Sequence, residues 1–175
     1  MFKVHLQYPE LPYVSNEFYG MVRVTPGSVM DVELPPKNLM YLLDVSTSVD
    51  VSFIKKSIKG SLRFLRDCDR VSIMSFSTET SLDVSWTYCT DENKERLLDS
   101  IDGISTGGWS NLSNGLFHAI EQCIGKDSHI ILLSDGDANS GITNDSHLVR
   151  MVKNTCGVNT RLHTCLLYTS DAADE

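Results

Sequence analysis

Leu39-Met40-Tyr41-Leu42-Leu43-Asp44-Val45-Ser46-Thr47-Ser48 is the stretch on which the fold turns. Five apolar side chains in succession, with no polar face, suit a strand buried on both sides, as in the middle of a parallel sheet. The run stops on a carboxylate followed by hydroxyl side chains, which marks the end of the strand and the start of a polar loop. A second run of the same kind, His129-Ile130-Ile131-Leu132-Leu133, stops on Ser134-Asp135-Gly136-Asp137. Two doubly buried strands need helices on both faces of their sheet, so an α/β architecture is expected from these two runs alone.

The sequence between and around them alternates accordingly. Val51, Ile54, Ile58, Leu62 and Leu65 recur at helical spacing, with Lys55, Lys56, Lys59 and Arg63 largely off the apolar stripe. The segments 70–76 and 80–86 have strand composition. Helices are expected over 91–101, with Thr90 and Asp91 at its start, and over 112–124 and 145–155, and a last strand over 161–167. Strands separated by helices of this length require right-handed crossovers and a mostly parallel sheet, doubly wound. Residues 1–36 have a different character. Phe2, Val4, Leu6 and Tyr8 alternate with polar residues, Met30, Val32 and Leu34 do so again, and Pro-Gly and Pro-Pro pairs punctuate the stretch. They are expected to form a short β-rich flank before a domain at 37–167. Residues 168–175 carry neither period and are expected to be a tail not native to the fold, on a domain truncated at its C-terminus.

Composition narrows the function. The formal net charge is −8, three of the acidic residues being Asp171, Asp174 and Glu175, and no basic cluster breaks this balance. Nucleic-acid binding through phosphate neutralisation is not expected. No apolar run approaches the roughly 18 residues of a membrane span, and the first residues lack the apolar block of a signal peptide. The five cysteines (Cys68, Cys89, Cys123, Cys156, Cys165) never fall in a C-x-x-C spacing and read as reduced, mostly buried small hydrophobes. A reducing, cytoplasmic setting is the expectation.

Three segments carry the chemistry. They are Asp44-Val45-Ser46-Thr47-Ser48, Gly107-Gly108-Trp109-Ser110-Asn111 ahead of the helix at 112, and Ser134-Asp135-Gly136-Asp137. In an open α/β sheet the crevice at the carboxyl ends of the strands, where strand order reverses, is where ligands bind. If the two apolar strands are neighbours, all three loops meet there. They supply oxygen: carboxylates from Asp44 and Asp135, hydroxyls from Ser46, Ser48 and Ser110. Such a donor set suits a hard cation, and one with few carboxylates suits Mg²⁺ better than Ca²⁺. In an extended segment every second side chain points the same way, so Asp44, Ser46 and Ser48 can act together.

Asp44-x-Ser46-x-Ser48 resembles the Asp-x-Ser-x-Ser signature of the von Willebrand factor A family. Ser110 is similar to that family's separate Thr ligand and Asp135 to its later Asp. Asp69 to Phe76 resembles the family's second strand, and Asn111-Leu112-x-x-Gly115-Leu116 the segment after the third ligand. The resemblance runs from about Lys37 to Leu167. It implies a Rossmann-like fold and a metal-ion-dependent adhesion site. The three hydroxyls would bind Mg²⁺ directly (Mn²⁺ or Ca²⁺ as substitutes), and the aspartates directly or through water. It further implies a protein partner whose Glu or Asp completes the coordination. Ser110 stands where Thr is commoner, Thr47 where a smaller residue is usual, and Trp109 precedes the ligand without an evident role.

Other readings of the same residues remain open at this stage. Asp44 and Ser46 alone would serve as helix caps, Gly107-Gly108 and Asp135-Gly136 as turns, and Asp137 as a solvated loop residue. The lysines at 55, 56 and 59 read as the wet face of a helix, Trp109 as a rim residue, and the five histidines as structural or surface groups. A degenerate scaffold without metal is one alternative function. A metal-dependent phosphotransferase with Asp44 as nucleophile is another, but the second Asp of dehalogenase-like phosphatases is replaced by Ser46. No phosphate-binding glycine loop or nucleophile elbow is present, so no enzyme is expected.

Overall fold

The computed structural model describes residues 34–167. The β-rich flank expected before residue 37 lies almost entirely outside them, as does the tail at 168–175. Nine elements follow in order: β1 (Asn38–Asp44), α1 (Val51–Leu62), β2 (Arg70–Phe76), β3 (Thr80–Tyr88), α2 (Asp91–Gly103), α3 (Leu112–Cys123), β4 (Ser128–Ser134), α4 (Asp145–Thr155) and β5 (Thr160–Leu166). The strands form one sheet in the order β3-β2-β1-β4-β5. β1 pairs in parallel with β2 and β4, and β4 with β5, while β3 returns antiparallel to β2. The doubly wound, mostly parallel α/β architecture is therefore as the sequence implies. The chain winds outward from β1 first towards β2 and β3, then crosses back to β4 and β5. Strand order reverses between β1 and β4, at the carboxyl ends of the two apolar runs.

Both faces of β1 are buried, as its unbroken apolar run requires. Leu39, Tyr41 and Leu43 point to one face and pack with Ile54 and Ile58 of α1 and Leu97 and Ile101 of α2. Met40 and Leu42 point to the other and pack with Leu116, Ala119 and Ile120 of α3. Each such side chain contributes about 2 kcal/mol relative to exposure. The ends of the helices are set by local chemistry. Asp50 caps α1, its Oδ1 accepting from Ser52 N and Phe53 N. Thr90 caps α2, Asn111 caps α3 and Asn144 caps α4. α1 stops at Leu62, before Leu65, because Arg63 closes the last turn and Leu65 is buried from the loop that follows. Asp44 and Ser46 do not cap that helix; Asp50 occupies the position.

α3 lies unusually close to the sheet. A Cβ on Gly115 would stand 2.7 Å from Cγ of the fully buried Phe76, so only glycine permits this approach. The cysteines depart from expectation. Cys89 and Cys123 are buried and Cys156 is half-buried, but Cys68 and Cys165 are exposed, and all five are free. No helix among the described residues is long and apolar enough to cross a membrane.

Candidate metal centre

The three loops do converge. Asp44, the last residue of β1, is fully buried. Its Oδ1 accepts from Ser46 N at 3.0 Å, and its Oδ2 accepts from Ser110 Oγ at 3.0 Å and Ser134 Oγ at 2.8 Å. Ser46 Oγ and Ser48 Oγ stand 3.3 Å apart, Ser46 buried and Ser48 exposed. Four of the five predicted residues, Asp44, Ser46, Ser48 and Ser110, thus form one connected oxygen cluster that opens to solvent at Ser48. Asp135 adjoins it through the chain, immediately after Ser134. Its Oδ1 accepts from Asp137 N at 3.1 Å, and its side chain has no described hydrogen bond to the other four.

The loops are held by their own backbones rather than by the cluster. Gly107 N donates to Val45 O at 2.8 Å, and Thr47 N to Gly108 O at 3.3 Å. Thr106 Oγ1 donates to Val45 O and Ser46 O. Gly108 has φ +82°, and a Cβ there would meet Thr78 Oγ1 at 2.6 Å, so the turn before Ser110 requires glycine. Ser110 is gripped from the third loop: its N donates to Asn139 Oδ1 at 2.8 Å, and its O accepts from Asn139 N and Ser140 N. Trp109 is 66% exposed beside it, which fits a rim residue.

Sequence reasoning missed three contributors. Ser134 stood in the third chemistry-bearing segment without being assigned a contact, and its bond to Asp44 follows from the β1–β4 pairing, in which Leu43 faces Leu133. Thr106 and Asn139 carry no motif signal; their side chains reach backbone atoms far away in sequence.

The donor chemistry fits a hard cation. Asp44 is a fully buried carboxylate, and no basic side chain among the described residues forms an ion pair with it. A buried charge met only by neutral donors is costly, and a cation would compensate it. Among the described residues no group of three or more His, Cys, Asp or Glu side chains gathers as a cage. The oxygens that do gather are the hydroxyls of Ser46, Ser48 and Ser110 and the Asp44 carboxylate, a donor set unlike the sulfur and imidazole ligation of structural zinc.

Comparison with known proteins agrees with this architecture. Residues 37–167 match the family described as von Willebrand factor type A domain. The chain is 28% identical over 130 residues to uncharacterized protein YfbK of Escherichia coli (strain K12), covering 69% of this chain and 22% of that protein. It is 27% identical over 167 residues to inter-alpha-trypsin inhibitor heavy chain H3 of Mus musculus, covering 82% of this chain and 18% of that protein. The chain spans about a fifth of the length of these curated relatives. Among solved structures, a von Willebrand factor type A protein from Catenulispora acidiphila superposes with TM-score 0.64 at 15% identity, over 74% of this chain and 33% of that one. Proximal thread matrix protein 1 from the mussel byssus does so with TM-score 0.60 at 18% identity, over 74% and 37%. At such identities the likeness is one of fold.

Proposed function

The chain belongs to the von Willebrand factor type A family of protein-interaction modules, and from that membership we propose that Asp44, Ser46, Ser48, Ser110 and Asp135 hold a Mg²⁺ ion through which a partner protein is bound. The observation that carries this reading is the buried Asp44 carboxylate, with hydroxyl oxygens around it and no basic partner among the described residues. A Mg²⁺ ion bound by two carboxylates and three neutral hydroxyls would keep net positive character and an open position for an anionic oxygen. The residues of this chain divide the work. Asp44 and Asp135 supply charge, the three serines supply neutral oxygens, and Ser134 and Ser46 N orient Asp44. A Glu or Asp of the partner is the fitting occupant of the open position, and exposed Trp109 adds apolar contact at the rim. The role is binding; no bond-making step is assigned to these residues.

A second reading has one observation in its favour. Both oxygens of Asp44 already accept hydrogen bonds from the protein, so the cluster is satisfied as a metal-free scaffold.

Thermal melts in Mg²⁺, in Ca²⁺ and in EDTA, on the wild-type chain and on Asp44→Ala, separate the two. A ligand that binds only the folded state at 100 times its dissociation constant adds about 2.7 kcal/mol. The metal reading expects a Mg²⁺-dependent rise of several degrees that Asp44→Ala abolishes. Superimposable wild-type melts in Mg²⁺ and EDTA would leave the metal-free scaffold.

A further inference from the structure

Four of the chain's cationic side chains fall within nine residues of α1 and its cap: Lys55, Lys56, Lys59 and Arg63. In sequence Lys55, Lys56 and Lys59 read as a solvated face. The structure keeps them at the surface and sets them, with Arg63, around a cavity of about 530 Å³ between α1 and the C-terminal end of α2, reaching from Ser52 to Arg63. Among the described residues the only acidic one lining it is Asp102, and it is already engaged. Its Oδ1 accepts from Lys59 Nζ, and its backbone O accepts from Lys55 Nζ at 2.9 Å. Lys56 and Arg63 have no ion-pair partner among the described residues. The protein thus concentrates uncompensated positive charge in one concave place on a molecule of net charge −8.

Gly60 is the second observation. It sits inside α1, where glycine costs about 1 kcal/mol relative to alanine. Yet its φ is not positive, and an added Cβ would meet nothing within 4 Å. Neither packing nor backbone geometry calls for glycine there. Its effect is to leave the floor of the cavity bare between Lys56, Lys59 and Arg63.

We propose that this groove is a second interaction surface, one that takes an acidic polypeptide segment. Lys56 and Arg63 are seven residues apart on the helix, about 10 Å along its axis. A single phosphate cannot bridge that distance. An extended peptide covers it in about three to four residues, and since every second side chain shares a face, carboxylates spaced Glu-x-x-x-Glu, about 13 Å apart, reach both long cationic side chains. Nucleic acid and sulfated polysaccharide fit less well. Among the described residues the cavity offers no aromatic side chain on which bases could stack, and a long polyanion that runs beyond the groove meets the net negative charge of the rest of the molecule.

The experiment uses the full 175-residue chain in EDTA at low ionic strength, which removes any metal-dependent contribution. A fluorescein-labelled Glu decamer is titrated by anisotropy against wild type, Asp44→Ala and the double variant Lys56→Glu/Arg63→Glu. Unlabelled heparin and a single-stranded oligonucleotide serve as rival probes. The proposal expects salt-sensitive binding, unchanged in Asp44→Ala and weakened at least about tenfold in the double variant. It also expects the double variant, altered only at the helix surface, to keep the wild-type melting temperature. No binding of the decamer, binding indifferent to the double substitution, or binding of heparin or the oligonucleotide without the decamer would each overturn it. A failed metal response in the preceding melts leaves this result untouched, and the reverse also holds.

Discussion

Asp69 shows how one residue can tie distant segments together. Its side chain, 2% exposed at the start of β2, accepts from Lys37 N at 2.9 Å, from Arg66 N at 2.9 Å and from the Arg66 guanidinium at 2.8 Å and 3.2 Å. It therefore locks the α1–β2 loop to the entry of β1, at the end of the sheet opposite the candidate metal centre. The Arg66 side chain, with the two backbone N–H groups, outweighs burial and holds the Asp69 carboxyl far below its ordinary value of 3.8. A carboxyl depressed in the folded state stabilises fully above its unfolded value and loses that contribution as pH falls towards its folded value. Asp69→Asn should accordingly cost about 2 kcal/mol at pH 7 in a urea titration. The gap between variant and wild type should narrow steadily below about pH 4. A gap independent of pH would show that the charge is not what matters. The sequence pointed to Asp69 only through its place before a strand, because Arg66 and Lys37 become its partners only in the folded chain.

At the scale of elements, the position of α3 decides the geometry of Ser110. The helix begins at Leu112, two residues after Ser110, and is pressed against β2 through Gly115 and Phe76. Ser113 Oγ donates to Asn111 Oδ1 and accepts from Ile142 N, so the same helix end also anchors the loop that grips Ser110. Gly115→Ala forces a methyl group to within 3 Å of a buried ring that has nowhere to go, an overpacking cost of about 1–3 kcal/mol. The expected result is a lower melting temperature in EDTA and, with Ser110 displaced, a weaker Mg²⁺ response than in wild type. An unchanged melt would mean that α3 lifts from the sheet without penalty. The motif around Asn111 to Leu116 was legible beforehand, but the close approach that gives its glycine a purpose was not.

Across the whole molecule, the five thiols report how the layers are buried. Cys89 has no exposed surface between β3 and α2, and burial pushes its thiol up to about 11. Burial raises the Cys123 thiol as well. Cys68 and Cys165 are exposed. Since the thiolate is the reactive form, iodoacetamide at neutral pH should label Cys68 and Cys165 within minutes, and Cys89 and Cys123 only at the rate of global unfolding. Mass-spectrometric mapping against time reads this directly. Early labelling of Cys89 would show that the β3–α2 layer opens on its own.

The alternation of buried strands and amphipathic helices was legible in the sequence alone, since a short apolar run such as Leu39 to Leu43, stopped by a polar loop and followed by helical spacing, suits a strand covered on both faces. The candidate donors Asp44, Ser46, Ser48, Ser110 and Asp135 were legible too, because each sits where a strand ends or a helix begins. Only the tertiary structure decided what those donors touch. The pairing of β1 with β4 brings Ser134 onto Asp44, and a loop nearly a hundred residues from Asp44 supplies Asn139 to Ser110. It likewise made the solvated lysine face of α1 one wall of a groove, because α2 ends beside it. Local periodicity records which face of an element is buried. Which elements become neighbours is set by sheet order and crossover direction, and the contacts that follow from it join residues far apart in the chain.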